Sequence, residues 1–300
     1  MALFFIRLAA ATLVMSAVAL VSAAQAAPPA DAIVAMPRFT VEVVGEVGPD
    51  VILIPGLATP REVWRRLADA LKGRARLHLV ELRGFGPGDP GPNAQGGAIA
   101  GLVEGVADYI ARHKLIHVRV VGHSLGGLAA LELAQRKPTG LDGVMIVDAL
   151  PFIGTLFAGP QASVATIAPQ AAAMRDQLLA LAASGGAMPP ALHQSLVAEG
   201  KARLAQWAEA VDLRTVAHAL HEDMTTDARP GLPALALPLT VLVPLAGSEA
   251  DQARTRALYT AAYALAPDAR LVWVADSAHF VMLDQPTPFE QAVRAFLALE

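Results

Sequence analysis

One serine carries the strongest chemical signal in the sequence. Ser124 stands in VRVVGHSLGGLAALELA, residues 118–134, between a β-branched run and a helix-forming run, with Gly122 and Gly126 two positions to either side. A serine hydroxyl is a weak nucleophile at neutral pH, so it needs a base and donors for the charge that develops on an attacked carbonyl oxygen. A G-x-S-x-G turn from strand to helix raises such a hydroxyl above the edge of a sheet. Glycine is required on both sides where a Cβ would strike neighbouring backbone. The Leu125 N–H, at the helix N-terminus, is then placed to meet a developing oxyanion. The motif alone recurs by chance, and the strand before it and the helix after it are what give it weight.

The base must come from the eight histidines. His123 adjoins the nucleophile, but its side chain leaves the turn in another direction and is expected to pack or hydrogen-bond beneath it. His78 falls in a strand, His113 and His117 flank a helix–strand junction, and His193 has no acidic neighbour in sequence. These are read as structural. HALHED pairs His218 and His221 at helical spacing with Glu222 and Asp223. No H-E-x-x-H or comparable ligand set appears, so a solvated helix end is expected there rather than a metal site. His279 differs, because it lies in DSAHFVMLDQP, after the last predicted strand and before a helix expected to start near Pro286. A loop at that place can return an imidazole over the sheet edge where Ser124 emerges.

The elements that must hold this pair alternate in type. FTVEVVG, DVILIPG, RLHLVELRG, HVRVVG, DGVMIVDA, LTVLVPL and ARLVWVA read as strands. Helical stretches over 60–71, 98–113, 125–136 and 253–266 lie between most of them. Near-continuous apolar strands separated by helices predict an α/β fold, a mostly parallel central sheet covered by helices on both faces. Between 151 and 237 no strand is apparent, and successive helical patterns predict a helical insertion. Gly84 to Gly97, rich in Gly and Pro, is expected to be a surface loop.

With these motifs in order, the chain from about Phe39 onward resembles the α/β-hydrolase family. LIPGLATPREVW follows an early strand, GHSLGG forms the elbow, and DSAHFVMLDQP carries the histidine. The resemblance implies a core domain over 38–150 and 238–300, with 151–237 as the cap that shapes the substrate pocket. It implies that the Leu57 N–H is a second oxyanion donor, although Pro55-Gly56 stands where relatives often carry His-Gly. ELRGFGPG resembles the family's D-x-R-G-x-G loop, with Glu81 in place of the usual aspartate. The triad acid has two candidate places. VMIVDALP puts Asp148 at the end of one strand, and AGSEADQAR offers Glu249 or Asp251 after the next. Spacing within the expected Ser, acid, His order favours Asp148.

Composition narrows the class further. The 300-residue chain is 54% hydrophobic, enough for one large core or two modest ones. A formal net charge of -4 with scattered arginines offers no face for nucleic acid. There is no cysteine, which excludes disulfides, thiolate metal sites and a cysteine nucleophile. The first 26 residues have one early basic residue, Arg7, an apolar run over 8–21 and the small-residue site Ala24-Gln25-Ala26. That is the pattern of a secretory signal peptide cleaved after Ala26, giving a periplasmic or secreted protein with no stable membrane insertion after cleavage, the alternative being an uncleaved anchor, since the apolar run is almost long enough to span a bilayer.

The expected activity is that of a serine esterase, a carboxylesterase-type hydrolase of carboxylic esters or related acyl compounds. Its partner is a small acyl or ester molecule, with no cofactor and no metal, and its oligomeric state is not specified by the sequence. A serine at the elbow argues against dehalogenase and epoxide hydrolase chemistry, which uses aspartate in similar folds. C–C hydrolysis, thioester cleavage, acyl transfer, perhydrolysis and a catalytically silent binding scaffold remain as alternatives.

Overall fold

The computed structural model describes residues 27–299. The expected signal segment, 1–26, therefore lies outside the described residues. Among the described residues eight strands form one sheet: β1 (Ile33–Ala35), β2 (Phe39–Val44), β3 (Asp50–Ile54), β4 (Arg76–Leu82), β5 (Val118–His123), β6 (Leu141–Val147), β7 (Leu239–Leu245) and β8 (Ala269–Ala275). Their order is β1-β2-β4-β3-β5-β6-β7-β8. β1 and β2 pair antiparallel, as do β2 and β4, and every other pair is parallel.

The helices are α1 (Arg65–Leu71), α2 (Ala98–Arg112), α3 (Leu125–Arg136), α4 (Gly154–Ala158), α5 (Val164–Ala183), α6 (Ala198–Ala208), α7 (Leu213–Thr225), α8 (Glu249–Ala262), α9 (Val281–Asp284) and α10 (Pro286–Leu297). Burial explains why β3 reads as an unbroken apolar run. All five of its residues are buried, with Ile52 and Ile54 packing into a cluster with α2 and α3, and Val51 and Leu53 into another with α1 and α10. β2 alternates between buried and half-buried positions, as suits an antiparallel strand near a sheet margin.

The predicted strands and the α/β class correspond to this sheet, with two differences of detail. β1 is a three-residue edge strand, IVA, too short to carry a periodic signal. α8 begins at Glu249 and ends at Ala262, four residues earlier than expected at both ends, because Ser248 and Asp251 form a reciprocal capping box at its start. Between β6 and β7 the described residues hold helices and short 3₁₀ turns, with no strand. The Gly/Pro-rich loop contains one such turn, Gly91–Gln95. Among the described residues no helix is long and apolar enough to cross a membrane.

β3 lies in the interior of the sheet, between β4 and β5. The chain leaves it for β4 on one side, and β5 returns on the other. Outside the carboxyl ends of β3 and β5 the connections diverge, and this is where open parallel sheets form ligand crevices.

Candidate active site

β5 delivers Ser124 to that crevice. The residue sits at φ 53°, ψ -123°, directly before α3, a backbone conformation that costs of order 1–3 kcal/mol and persists only when its surroundings enforce it. The Ser124 N–H donates to the Val147 carbonyl at 3.0 Å, and its own carbonyl accepts from the Gly127 and Leu128 N–H groups at 2.7 and 3.0 Å. The flanking glycines allow the tight approach. A Cβ on Gly122 would lie 2.1 Å from the Gly126 carbonyl oxygen, and one on Gly126 would lie 2.4 Å from that of Ile54. Leu125 is the first residue of α3, so its N–H has no acceptor within the helix.

The loop after β3 presses on the elbow from the other side. A Cβ on Gly56 would come within 2.9 Å of His123 Nδ1 and 3.0 Å of Ser124 Cβ, so the peptide leading to Leu57 runs beside Ser124. Thr59 Oγ1 donates to the Leu57 carbonyl at 2.9 Å. Glu81, at the end of β4, accepts the Arg61 N–H at 3.1 Å and pairs with its guanidinium. The acid thus anchors the far end of the loop despite being longer than the aspartate common at that place.

β6 ends at Asp148, and the loop after β8 carries His279. Nδ1 of His279 donates to Asp148 Oδ2 at 2.6 Å. The other carboxylate oxygen, Oδ1, accepts a hydrogen bond from the Tyr259 hydroxyl of α8 at 2.5 Å. Tyr263, one turn on, donates to the Ala149 carbonyl at 2.8 Å. Asp148 is therefore gripped on both oxygens, and its φ of 47° reflects the sharp exit from β6. With Nδ1 engaged as a donor, Nε2 is the basic nitrogen of His279.

The histidine loop is fixed from below and behind. Nε2 of His123 donates to the His279 carbonyl at 3.0 Å, and its ring packs against those of His279 and Phe280 at 4.5 and 4.8 Å between centroids. Burial holds the His123 pKa well below its ordinary value, so this contact is made by a neutral imidazole. Asp284 of α9 accepts the Ala278 N–H at 2.8 Å, the Leu196 N–H at 2.9 Å and the Ser195 hydroxyl at 2.6 Å. One carboxylate thereby ties the histidine loop to the segment before α6.

Ser124, Asp148 and His279 line one cavity of about 120 Å³, together with Leu128, Ala149, Leu150, Ile153, Leu156, Asp223 and Tyr259. The alternative acids lie elsewhere. Asp251 accepts from the Ser248 N–H and hydroxyl at 3.0 and 2.6 Å and pairs with Arg254, while Glu249 is an exposed first-turn residue of α8. Neither lines the cavity. Leu57 is not among the lining residues either.

Comparison with known proteins agrees with this architecture. Residues 51–292 match the alpha/beta hydrolase family. The chain belongs to that family. A pimeloyl-[acyl-carrier protein] methyl ester esterase of Chromobacterium violaceum is 36% identical over 111 residues, 37% of this chain and 41% of that protein. The aligned region thus spans about two-fifths of that relative. The protein of the same name from Edwardsiella ictaluri is 26% identical over 82% of this chain and 92% of its own length. The crystal structure of an enol-lactonase from Burkholderia xenovorans superposes with a TM-score of 0.65 at 22% identity, covering 87% of this chain and 96% of that one.

Within this α/β-hydrolase fold, the HALHED segment departs from the sequence reading. It is not a solvated helix end. Glu222 accepts the Gly97 and Ile99 N–H groups at 2.6 and 2.8 Å and so caps α2, and Asp223 is 6% exposed in the wall of the cavity. Among the described residues no cluster of potential ligands could hold a metal ion. Sequence reasoning missed Tyr259, which carries no motif, and Asp284, whose only signal is its place in the histidine loop.

Proposed function

We propose that this protein is a serine hydrolase of carboxylic esters or related acyl compounds, exported from the cytoplasm and working through an acyl-enzyme. Ser124 Oγ attacks the ester carbonyl carbon while His279 Nε2 takes its proton. Asp148 orients the imidazole and stabilises its cation. The N–H groups of Leu125 and Leu57 receive the charge on the carbonyl oxygen. His279 then returns the proton to the departing alkoxide as the C–O bond breaks, and a water activated by the same imidazole releases the acid and restores Ser124.

The observation that carries this reading is the 2.6 Å contact between His279 and Asp148 in the cavity that also receives Ser124. The esterase relatives support ester cleavage among the chemistries open to the fold. A fluorophosphonate probe should label the wild type and not Ser124→Ala, and p-nitrophenyl esters of graded chain length should be turned over only by the former. Equal labelling of a folded Ser124→Ala protein would refute the nucleophile. Export is tested separately, by mass analysis of protein from a secreting host, where the chain should begin at Ala27. An intact Met1 terminus in the membrane fraction would refute cleavage and favour an uncleaved anchor.

A further inference from the structure

Asp223 has no task in the serine-hydrolase reaction, yet it occupies the same cavity as Ser124 and His279. It is 94% buried, being 6% exposed. Among the described residues nothing hydrogen-bonds its carboxyl, and His279 lies near enough to act on it electrostatically. Apart from Ser124, Asp148, Tyr259 and His279, the other side chains lining the cavity, among them Leu128, Leu150, Ile153 and Leu156, carry no polar atom. With no protein donor on it, the carboxyl depends for a partner on what occupies the cavity, and a ligand that pairs with it gains that hydrogen bond on binding.

The position is rigid rather than borne on a loose lid. Glu222, the preceding residue, caps α2 through two backbone N–H groups. At the other end of α7, Asp212 caps the helix through the Thr215 N–H at 2.9 Å, and its own N–H donates to the Gly84 carbonyl at 2.9 Å. α7 is therefore held to the core at both ends, and Asp223 is presented at a fixed place.

The protonation state follows from its neighbours. A negative Asp223 in this cavity would oppose the oxyanion that forms above Ser124, whereas a neutral carboxyl would not. Burial favours the neutral form and pushes the group up to about 7. A neutral carboxyl both donates and accepts, which matches a hydroxyl. The cavity measures about 120 Å³, well above the ~10–15 Å³ needed to hold one water. It admits a group of a few heavy atoms.

We propose that Asp223 is the specificity-determining residue of this pocket, hydrogen-bonding through its carboxyl to a hydroxyl carried on a short chain of the substrate ester. The inference rests on the serine-hydrolase reading of the site. Two matched pairs of esters test it: ethyl 3-hydroxybutyrate against ethyl butyrate for a hydroxyl on the acyl side, and 2-hydroxyethyl butyrate against propyl butyrate for the alcohol side.

The wild type should favour the hydroxylated member of at least one pair by about tenfold or more in kcat/KM, because a site built around a hydrogen bond discriminates against the analogue lacking it. Asp223→Leu should bring that ratio to within about twofold of unity, and Asp223→Asn, which still donates and accepts, should keep most of it. Fluorophosphonate labelling at Ser124 reports that each variant is folded. A wild type without preference in either pair overturns the proposal with no variant needed, as does a preference that survives in labelled Asp223→Leu. A wild type that fails to label strikes the serine-hydrolase reading itself, and this inference falls with it.

Discussion

Replacing Asp223 by asparagine should stabilise the protein at neutral and alkaline pH and do so less and less as the solution is acidified. The carboxyl is pushed up to about 7 in the fold, mainly by burial, from an ordinary value of 3.8. Since the folded pKa lies above the unfolded one, the folded state holds the proton more tightly. Below about pH 4 both states carry it, and the carboxyl adds no electrostatic cost. As pH rises from about 4 to 7, the unfolded chain gives up the proton while the folded chain retains it. Stability is lost at about 1.4 kcal/mol per pH unit over this window. Above about 7 both states are ionised and the loss is complete. The difference between 7 and 3.8 corresponds to about 4 kcal/mol, a large fraction of the stability of an ordinary domain.

Asparagine keeps the size of the side chain and removes the titration. Urea denaturation of wild type and Asp223→Asn at about pH 4.5, 6 and 8 isolates the effect, because other titrating groups appear in both proteins and cancel. His78 and His123, both lowered by burial, destabilise each protein equally as pH falls through the ordinary histidine range. The stability gap should widen by a few kcal/mol between the lowest and highest pH. A gap constant within about 1 kcal/mol across that range would show that Asp223 is solvated or paired, and the argument from its burial would fail.

Asp148→Asn should lower turnover by about a thousandfold or more, since the amide reverses the hydrogen-bonding demand on His279 Nδ1, while Asp251→Asn should only loosen the start of α8; kinetics and melting temperature measured together separate the two, and retention of more than about a tenth of activity by Asp148→Asn would refute its role. Tyr259→Phe removes the hydroxyl that holds Asp148 Oδ1 and should reduce kcat about tenfold with little change in KM, because a hydrogen bond to a charged group contributes about 1.5–3 kcal/mol. A change confined to KM would mean that Tyr259 contacts substrate instead of positioning the acid.

What the sequence made legible is local. The elbow needs only residues 118–134, in which strand, glycine pair and helix are contiguous, so its geometry follows from neighbours in the chain. The α/β class follows in the same way from the alternation of apolar runs. The place of the acid depends on non-local packing: Asp148 and His279 are 131 positions apart, and they meet because β7 pairs with β6 on one side and β8 on the other. One local clue did bear on it. Ser248 and Asp251 have the S-x-x-D spacing of a helix start, and an acid engaged in capping its own helix is not free to orient a distant imidazole.

Asp148, Asp223 and Asp284 show why residue type alone could not sort the acids. Each is an aspartate with at least one apolar neighbour in sequence, and in the fold each faces a different set of partners. Asp284 accepts backbone N–H groups and a hydroxyl, which fixes a loop and leaves its carboxylate fully occupied. Asp148 accepts a tyrosine hydroxyl on one oxygen and an imidazole on the other, so it gains a charged partner whenever His279 takes up a proton. Asp223 lies in the wall of the same cavity with no donor supplied by the described fold. Donors bind a carboxylate's charge, an imidazole couples it to proton transfer, and an absence of donors leaves it dependent on what enters the pocket. What each carboxyl can do is thus set by the groups that long-range packing brings to it.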